Sequence, residues 1–350
     1  MSGGVDSSVA AARLADAGHD VVGLSMQLYD QREGMPHSFG RCCTLDDLHD
    51  ARRVASTIGI PHYVLNLERQ FQATVVDNFV SEYAAGRTPI PCSHCNSDLK
   101  FATLVDRAAG FGADIVATGH YARVERTADG RFRLLRGKDP QKDQSYFLFA
   151  LTQAQLAHAA FPVGELNKSE VREYAHARGL PVADKPDSQE ICFVPDGDYA
   201  RFVEQRLPDR DRGGVITNTA GRVLGRHDGV HRYTVGQRKG LRLSSTTPLY
   251  VLEIKPDSRT VVVGDRESLE TQHCAVHDVN WTAGVQPAGP IRVGVQIRHR
   301  HQPAAATVTP TREGHATVVF EAPQRAVTPG QAAVFYDGDE VAGGGWIANP

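Results

Sequence analysis

Two groups of residues in this 350-residue chain are of types and spacings that do chemistry. The first is Ser2-Gly3-Gly4-Val5-Asp6-Ser7-Ser8, a short loop rich in glycine and hydroxyls ahead of a helical pattern. From Ser7 on, Val9, Ala10, Ala12, Leu14, Ala15 and Ala17 recur at about helical spacing, and Gly18 supplies a stop. Such a loop feeds a helix N-terminus, where exposed N–H groups and the positive end of the dipole make an anion site. Gly3 and Gly4 let the backbone approach a phosphate without a Cβ in the way. A Gly-Gly pair alone reads more readily as a tight turn with serine and aspartate caps, but the density of hydroxyls shifts the reading towards the anion site. A Walker-type P-loop would carry Lys-Ser/Thr after its second glycine, where this chain has Val5-Asp6-Ser7-Ser8.

The second group is made of cysteines. Cys92 and Cys95 lie in "RTPIPCSHCNSDLKF", a proline-rich loop that reads as running into a helix near Ser97. A cysteine just before a helix start has its thiolate stabilised by the dipole, and His94 stands beside it. Half of a zinc knuckle is the alternative, yet a closed zinc site needs a second ligand pair of similar spacing, and the adjacent Cys42 and Cys43 chelate one ion poorly. Cys192 sits in another polar, proline-punctuated loop, "KPDSQEICFVPDG", expected near the carboxyl end of a sheet, whereas Cys274 reads as buried and inert. Six cysteines with no secretory leader suit chemistry or metal better than a disulfide framework.

These loops need a scaffold, and the chain patterns one. Up to about residue 195, strand-like and helix-like segments alternate: "DVVGLSMQLY", "LDDLHDARRVASTIGI", "PHYVLNL", "SDLKFATLVDRAAGFG" and "ADIVATGH". This βαβ rhythm implies α/β architecture, a doubly wound, mostly parallel sheet covered on both faces. In such a fold the loop follows a strand, but only Met1 precedes it, so the first strand is expected to be missing and the true start to lie upstream. From Gly197 glycines and prolines become frequent, and "LYVLEIKPDSRTVVVGD" reads as a hairpin around Pro256-Asp257. "IRVGVQIRHR", "HATVVFEAP" and "GQAAVFYDGDEVAGGGWI" come next as antiparallel strands with one solvated face. The expected domains are 1–195 for nucleotide binding and catalysis, a small central domain over 196–280, and a C-terminal antiparallel β-barrel over 281–350.

Composition narrows the class. With 41% hydrophobic residues the chain can bury two or three cores. No apolar run approaches the roughly 20 residues of a membrane span, and no basic-then-apolar leader is present, which points to a cytoplasmic protein without a membrane partner. A formal charge of −3 and a pI near 6.6 argue against a general nucleic-acid coat but leave room for a local basic face.

The loop Ser2 to Ser8 resembles the pyrophosphate loop of the ATP-pyrophosphatase superfamily, whose adenine nucleotide alpha hydrolase-like domains adenylate a carbonyl oxygen and release pyrophosphate. Taken in order, "SGGVDSS", "CCTLDDLHDARRVASTIGIPHYVLNL", "TPIPCSHCNSDLKF", "ATGHYARV", "KDQSYFL", "DSQEICF", "HRYTVGQRKGL" and "PGQAAVFY" resemble the tRNA-specific 2-thiouridylase family over essentially the whole chain. The resemblance implies conversion of the wobble uridine at tRNA position 34 to 2-thiouridine, in tRNAs such as those for Lys, Glu and Gln. ATP would adenylate the C2 oxygen, and sulfur would arrive as a persulfide from a cysteine desulfurase or a sulfur-relay protein. It further implies that Cys192 carries the persulfide and that Cys95 is the nucleophile that attacks its outer sulfur or resolves the disulfide to free sulfide. Ser2, Gly3, Gly4, Val5, Asp6, Ser7, Ser8, Met26 and Gly119 take the nucleotide-binding positions, with Mg²⁺ expected on the phosphates and Asp6 a candidate ligand. His120, Lys142, Asp143, Gln144, Arg298, His299 and Gln331 take tRNA-contacting positions, and Ile90, Pro91 and Cys92 those beside the flipped base.

The chain departs from the family at one position. Many members carry an aspartate three residues before the first catalytic cysteine, where this chain has Cys92. Cys92, Cys95 and Cys192 therefore suit either a metal-free persulfide relay or a three-cysteine [4Fe–4S] site. Another ATP-pyrophosphatase, such as an amidotransferase-type synthetase or a tRNA lysidine synthase, is the nearest alternative, but those have no need of cysteines in both loops. An RNA-binding barrel protein with a degenerate nucleotide domain is the alternative without catalysis. Tyr121 and Tyr146 are aromatic candidates for stacking on an extruded uridine, with core packing the competing reading.

Overall fold

The computed structural model describes residues 1–29, 45–187, 191–194, 197–207 and 212–349. Cys42 and Cys43, part of the "DSQE" run and the expected domain boundary at 195/196 lie outside the described residues. In chain order the helices are α1 (Val5–Asp16), α2 (Leu45–Ile58), α3 (Glu68–Phe71), α4 (Asp77–Ala84), α5 (Pro91–His94), α6 (Ala102–Gly110), α7 (Gln153–Ala157), α8 (Lys168–Ala177) and α9 (Tyr199–Glu204). The early strands are β1 (Gly23–Gln27), β2 (His62–Asn66), β3 (Val116–Ala117), β4 (Ala122–Arg126), β5 (Phe132–Arg136) and β6 (Ala159–Ala160). Those from residue 214 on are β7 (Gly214–Asn218), β8 (Val223–His227), β9 (Tyr250–Lys255), β10 (Thr260–Gly264), β11 (Glu270–Trp281), β12 (Ile291–Gln296), β13 (Ala304–Pro310), β14 (His315–Arg325), β15 (Ala332–Asp337) and β16 (Glu340–Ile347). The chain divides into two compact units, one of residues 1–76, 92–198 and 339–341, the other of residues 77–91, 199–338 and 342–350.

The first unit is α/β. Four of its strands pair in parallel, β1 with β2 in the register Gly23 to His62 through Gln27 to Asn66, and β3 with β6, while β4 and β5 form an antiparallel pair. The helical spacing read from Ser7 onward becomes α1, whose Val5, Val9, Ala10 and Ala12 are buried with Val171 and Ala175 of α8 and with Tyr121. Small residues on α1 are what allow α8 to pack closely upon it. Asn167 and Glu170 form a capping box at the start of α8, which fixes where Lys168 leaves the helix. The N-terminal residue lies against β1: the Met1 amino group donates to the Leu24 carbonyl, and Ser25 Oγ donates to the Met1 carbonyl at 2.6 Å.

The second unit holds two β structures. One is a four-stranded sheet in the order β8-β7-β10-β9, in which β7 and β10 are parallel and the β9–β10 hairpin turns at the expected Pro256-Asp257. The other is a closed six-stranded antiparallel barrel, β11-β14-β13-β12-β15-β16, sealed by pairing of β11 with β16. Alternation explains its core: Val293 and Val295 of β12 point in with Ala316, Val318 and Phe320 of β14, while Arg292, just before Val293, points to solvent. The segment 270–281, which the sequence reading placed with the central part, pairs within this barrel. Its "ETQHCAVHDVNW" does not alternate cleanly, because the register shifts between Thr271 and His273 and again between His277 and Asn280. Among the described residues no helix is long and apolar enough to cross a membrane.

Phe335 of β15 is fully buried in the barrel and packs 5.6 Å from the ring of Trp281. Phe335→Ala should remove about 3–5 kcal/mol from the transition that unfolds the barrel, read as a lowered denaturant midpoint. A midpoint within error of the parent would mean the barrel core can collapse around the loss.

Candidate active site

The loop before α1 is tied to the first turn of the helix without capping it. Gly4 is the N-cap of α1, with φ −93° and ψ 164°, and no side chain caps the helix. The hydroxyls turn inward instead: Ser7 Oγ and Ser8 Oγ donate to the Gly4 carbonyl at 3.2 and 2.8 Å, and the Ser2 amide donates to Ser7 Oγ at 3.0 Å. First-turn N–H groups are therefore left for a ligand, in a loop already shaped for one. Both flanking approaches demand glycine. Gly3 has φ +72°, and a Cβ on it would lie 2.3 Å from the Asp47 carbonyl oxygen. A Cβ on Gly119, beyond β3, would lie 2.5 Å from the Ser7 amide nitrogen. Met26 stands half-buried on β1, opposite Leu65 of β2.

Beside this loop sits a charge network assembled from distant parts of the chain. Asp6 Oδ1 accepts from the Tyr121 hydroxyl at 2.8 Å and from Lys168 Nζ at 2.7 Å. Lys168 Nζ also lies 2.7 Å from Asp187 Oδ1, while Lys142 Nζ donates to Asp187 Oδ2 at 2.7 Å and Arg172 approaches Asp187 at 3.5 Å. Burial works to raise the Asp187 pKa, but its hydrogen bonds from Lys142 and Lys168 outweigh this and hold the carboxyl below the usual range. Burial, with the Asp6 charge behind it, pushes the Tyr121 hydroxyl far above the tyrosine range, so it stays a donor. Mg²⁺ takes one or two carboxylates besides substrate phosphates, and Asp6 offers one at the loop, so the donor set fits.

The cysteines sit on one helical run and one neighbouring segment. The structure starts the run at Pro91, not near Ser97: α5 passes directly into a π-helical segment, Cys95–Phe101, and then into α6. Proline at the first helical position makes the start, because its missing N–H would be unbonded there anyway. Cys92 is exposed in the first turn, and Cys95 is buried at the opening of the π segment, a geometry often found at functional sites. Polar contacts hold that segment on both sides. Gln155 donates to the Ser97 carbonyl at 2.8 Å, Asn96 donates to the Phe147 carbonyl at 3.2 Å, and His94 pairs with Asp98 at 2.8 Å. Cys192 is half-buried, and the next residue, Phe193, packs edge-on against Phe71 of α3 at 5.5 Å. α3 in turn packs on the Cys95 segment, which gives the two cysteine loops a shared support. Among the described residues no group of three or more His, Cys, Asp or Glu side chains could hold a metal ion. Cys274 is mostly buried, and burial pushes its thiol up to about 12.

The residues expected to meet tRNA fall in both units. In the first, Asp143 accepts from Arg136 at 2.7 Å and from the Gly137 amide at 3.0 Å, and Gln144 accepts from the Tyr121 amide at 3.0 Å. Their side chains order the turn that presents Lys142. His120 Nδ1 lies 2.8 Å from Thr118 Oγ1, and burial, reinforced by the Lys100 charge, pushes its pKa down to about 3. In the second unit Ile90 and Pro91 are buried, and Gln331 donates to the Thr88 carbonyl at 2.9 Å. Arg298 and His299 are exposed in the turn after β12 rather than on the strand face where the alternation placed them. Gln296 donates to both of their carbonyls, at 3.2 and 2.8 Å. Tyr121 and Tyr146 are each 1% exposed, so both belong to the core and neither offers a face to an extruded base. Sequence reading passed over Lys168, Asp187 and the Asp6–Tyr121 bond. The capping box in "NKSEVREY" locates the helix but not the direction in which its first lysine points.

Two outcomes test this geometry. Gly119→Ala should weaken ATP binding more than tenfold while circular dichroism stays unchanged, because the added carbon has only the Asp6–Ser7 backbone to displace. His120 is neutral in the folded chain down to about pH 3, whereas the unfolded chain protonates it near pH 6.5. Stability tied to it is therefore full above about pH 6.5 and declines as pH falls, by up to about 1.4 kcal/mol per pH unit. His120→Gln should flatten that slope in denaturant titrations between pH 7 and 4.5.

Comparison with known proteins places this site in a family. Residues 1–196 match the tRNA methyl transferase HUP domain, residues 200–265 the tRNA methyl transferase PRC-barrel domain, and residues 271–347 the aminomethyltransferase beta-barrel domain. The chain is 53% identical to the tRNA-specific 2-thiouridylase MnmA of Acidobacterium capsulatum, covering 99% of this chain and 97% of that one. It is 54% identical to the protein of that name from Solibacter usitatus, with 99% and 97% covered, and 53% identical to that of Geobacter metallireducens, with 99% and 95% covered. A loop without the P-loop lysine, cysteines on two supported segments and relatives aligned end to end agree: the chain belongs to the tRNA-specific 2-thiouridylase family.

Proposed function

We propose that this chain is a tRNA-uridine 2-sulfurtransferase that uses ATP to replace the C2 oxygen of wobble uridine 34 with sulfur. The observation that carries the proposal is the uncapped N-terminus of α1 behind a lysine-free glycine loop, in a chain that also sets Cys95 and Cys192 on mutually supported segments. The C2 oxygen is a poor leaving group. Attack of that oxygen on the α-phosphate expels pyrophosphate and makes AMP the group to be displaced. Ser2 to Ser8, with Gly119 behind them and Met26 on β1, bind the nucleotide, and Asp6 would hold a Mg²⁺ that neutralises phosphate charge when bound. His120 is neutral at working pH and so meets RNA as a hydrogen-bonding group rather than as a charge.

Cys192 carries the sulfur as a persulfide received from a cysteine desulfurase or sulfur-relay protein. The Cys95 thiolate attacks the inner sulfur and breaks the S–S bond, and the outer sulfur leaves as hydrosulfide with its electron pair. Hydrosulfide adds at C2 and expels AMP, leaving 2-thiouridine and a Cys95–Cys192 disulfide that a cellular thiol must reduce before the next cycle. Cys92 is spare in this relay. The tRNA is held by Lys142, Arg298, His299 and Gln331 with the turn formed by Asp143 and Gln144, and Ile90 to Cys92 lie by the extruded base. The acceptors are the tRNAs for Lys, Glu and Gln. We also propose a three-domain organisation, nucleotide-binding, central and barrel, acting in the cytoplasm where tRNA is found.

Nucleoside mass spectrometry after incubation with tRNA, ATP and a persulfide source tests the reaction. It should show 2-thiouridine with AMP and pyrophosphate in equal amounts, and ADP as the stoichiometric product would refute adenylation. Cys95→Ser and Cys192→Ser should each abolish product while Cys92→Ser keeps most of it. Equal loss in all three, together with bound iron, would replace the relay with a cluster.

A further inference from the structure

The loop Ser2–Ser8 lacks the lysine with which a Walker-type loop neutralises transferred phosphate, and the fold brings one to the same place. Lys168 opens α8, more than 150 residues away, with its backbone amide donating to Asp139 at 3.0 Å. Its side chain is 13% exposed and spans Asp6 Oδ1 and Asp187 Oδ1 at 2.7 Å each. The ammonium also lies 5.7 Å from the centre of the Tyr121 ring. Lys142, Lys168 and Arg172 face Asp6 and Asp187, with the Asp139 carboxylate at the start of α8 beside them, so every charge here has a partner and a phosphate would have to draw Lys168 from its own. A lysine held beside an uncapped helix N-terminus is placed for an anion.

The pairing pattern also shows how that cation can be released. When Lys168 leaves, Asp187 keeps Lys142 at 2.7 Å and Arg172 at 3.5 Å, and Asp6 keeps the Tyr121 hydroxyl at 2.8 Å. No carboxylate is stranded, so transfer of the ammonium to a phosphate exchanges one ion pair for another. Asp187 lies five residues before Cys192, so the exchange loosens one of the ties on the chain leading to the sulfur-carrying residue.

We propose that Lys168 is the phosphate-neutralising residue of this site, held on Asp6 and Asp187 until a nucleotide polyphosphate takes its ammonium, with Asp187 as the counter-ion that releases it. The inference rests on the nucleotide reading of the loop and adds the residue that distinguishes a triphosphate from a monophosphate. Lysine suits the task because its compact charge on a flexible stem can change partners.

Calorimetric titration of the full chain with Mg²⁺ and α,β-methylene-ATP, and separately with AMP, tests it. Lys168→Met should weaken the triphosphate analogue about tenfold or more and AMP less than about twofold, and Lys168→Arg should restore part of the difference. Asp187→Asn, which removes the competing counter-ion, should leave the analogue bound as tightly as in the parent or more so. Equal weakening of both ligands by Lys168→Met, or weakening by Asp187→Asn, would reduce the cluster to a structural role. Unaltered analogue binding in Lys168→Met would remove Lys168 from the site. A parent chain that binds the analogue no better than AMP would instead overturn the nucleotide reading itself.

Discussion

A helix N-terminus can bind phosphate only if its N–H groups stay bare, and keeping them bare is the constraint around which the first unit is built. Side-chain caps that would otherwise stabilise α1 are absent, and the hydroxyls nearest to it bond back to Gly4. Stability then has to come from packing, which α1 finds in a small-residue face against α8. That same packing puts Lys168, the first residue of α8, over Asp6. Backbones at Gly3 and Gly119 close in from two sides, near enough that no Cβ fits. Anion site, supporting core and neighbouring cation thus arise from one helix left uncapped.

The proposed sulfur chemistry imposes a second requirement, since exchange between cysteines needs thiolate character and access. The helical run from Pro91 sets Cys95 where the turn widens to π geometry, and the proposed relay pairs it with the half-buried Cys192 on the neighbouring segment. A π segment takes one more residue per turn and shifts the register of the helix beyond it, here α6. Asn96 and Ser97 lock that shift through bonds to Phe147 and Gln155. Phe193 against Phe71 then seats the Cys192 segment on α3, which packs on the same run.

Periodicity alone exposes much of this architecture. The helical repeat from Ser7, the apolar strands of the first unit and the period-two strands from Ile291 all fold as their spacing implies. Local pattern does not show where α5 begins, because the prolines before Cys92 read as loop and Pro91 is in fact the first helical residue. It also misplaces Arg298 and His299, since the alternation of β12 stops at Gln296 and the chain turns there. The aromatic pair Tyr121 and Tyr146 is ambiguous for a simpler reason: burial depends on partners far along the chain. Lys168, Asp187 and Asp6 are the sharpest case, as their meeting joins residues 6, 168 and 187 and no window of sequence contains it.

The central claim is that the C2 oxygen of the uridine, not water or a protein group, takes up the adenylate before sulfur arrives. A tRNA carrying ¹⁸O at C2 of uridine 34 tests this in one turnover, with the released nucleotide analysed by mass spectrometry. The account predicts one ¹⁸O in each AMP formed, matched to each 2-thiouridine. AMP without the label, with 2-thiouridine still produced, would contradict it.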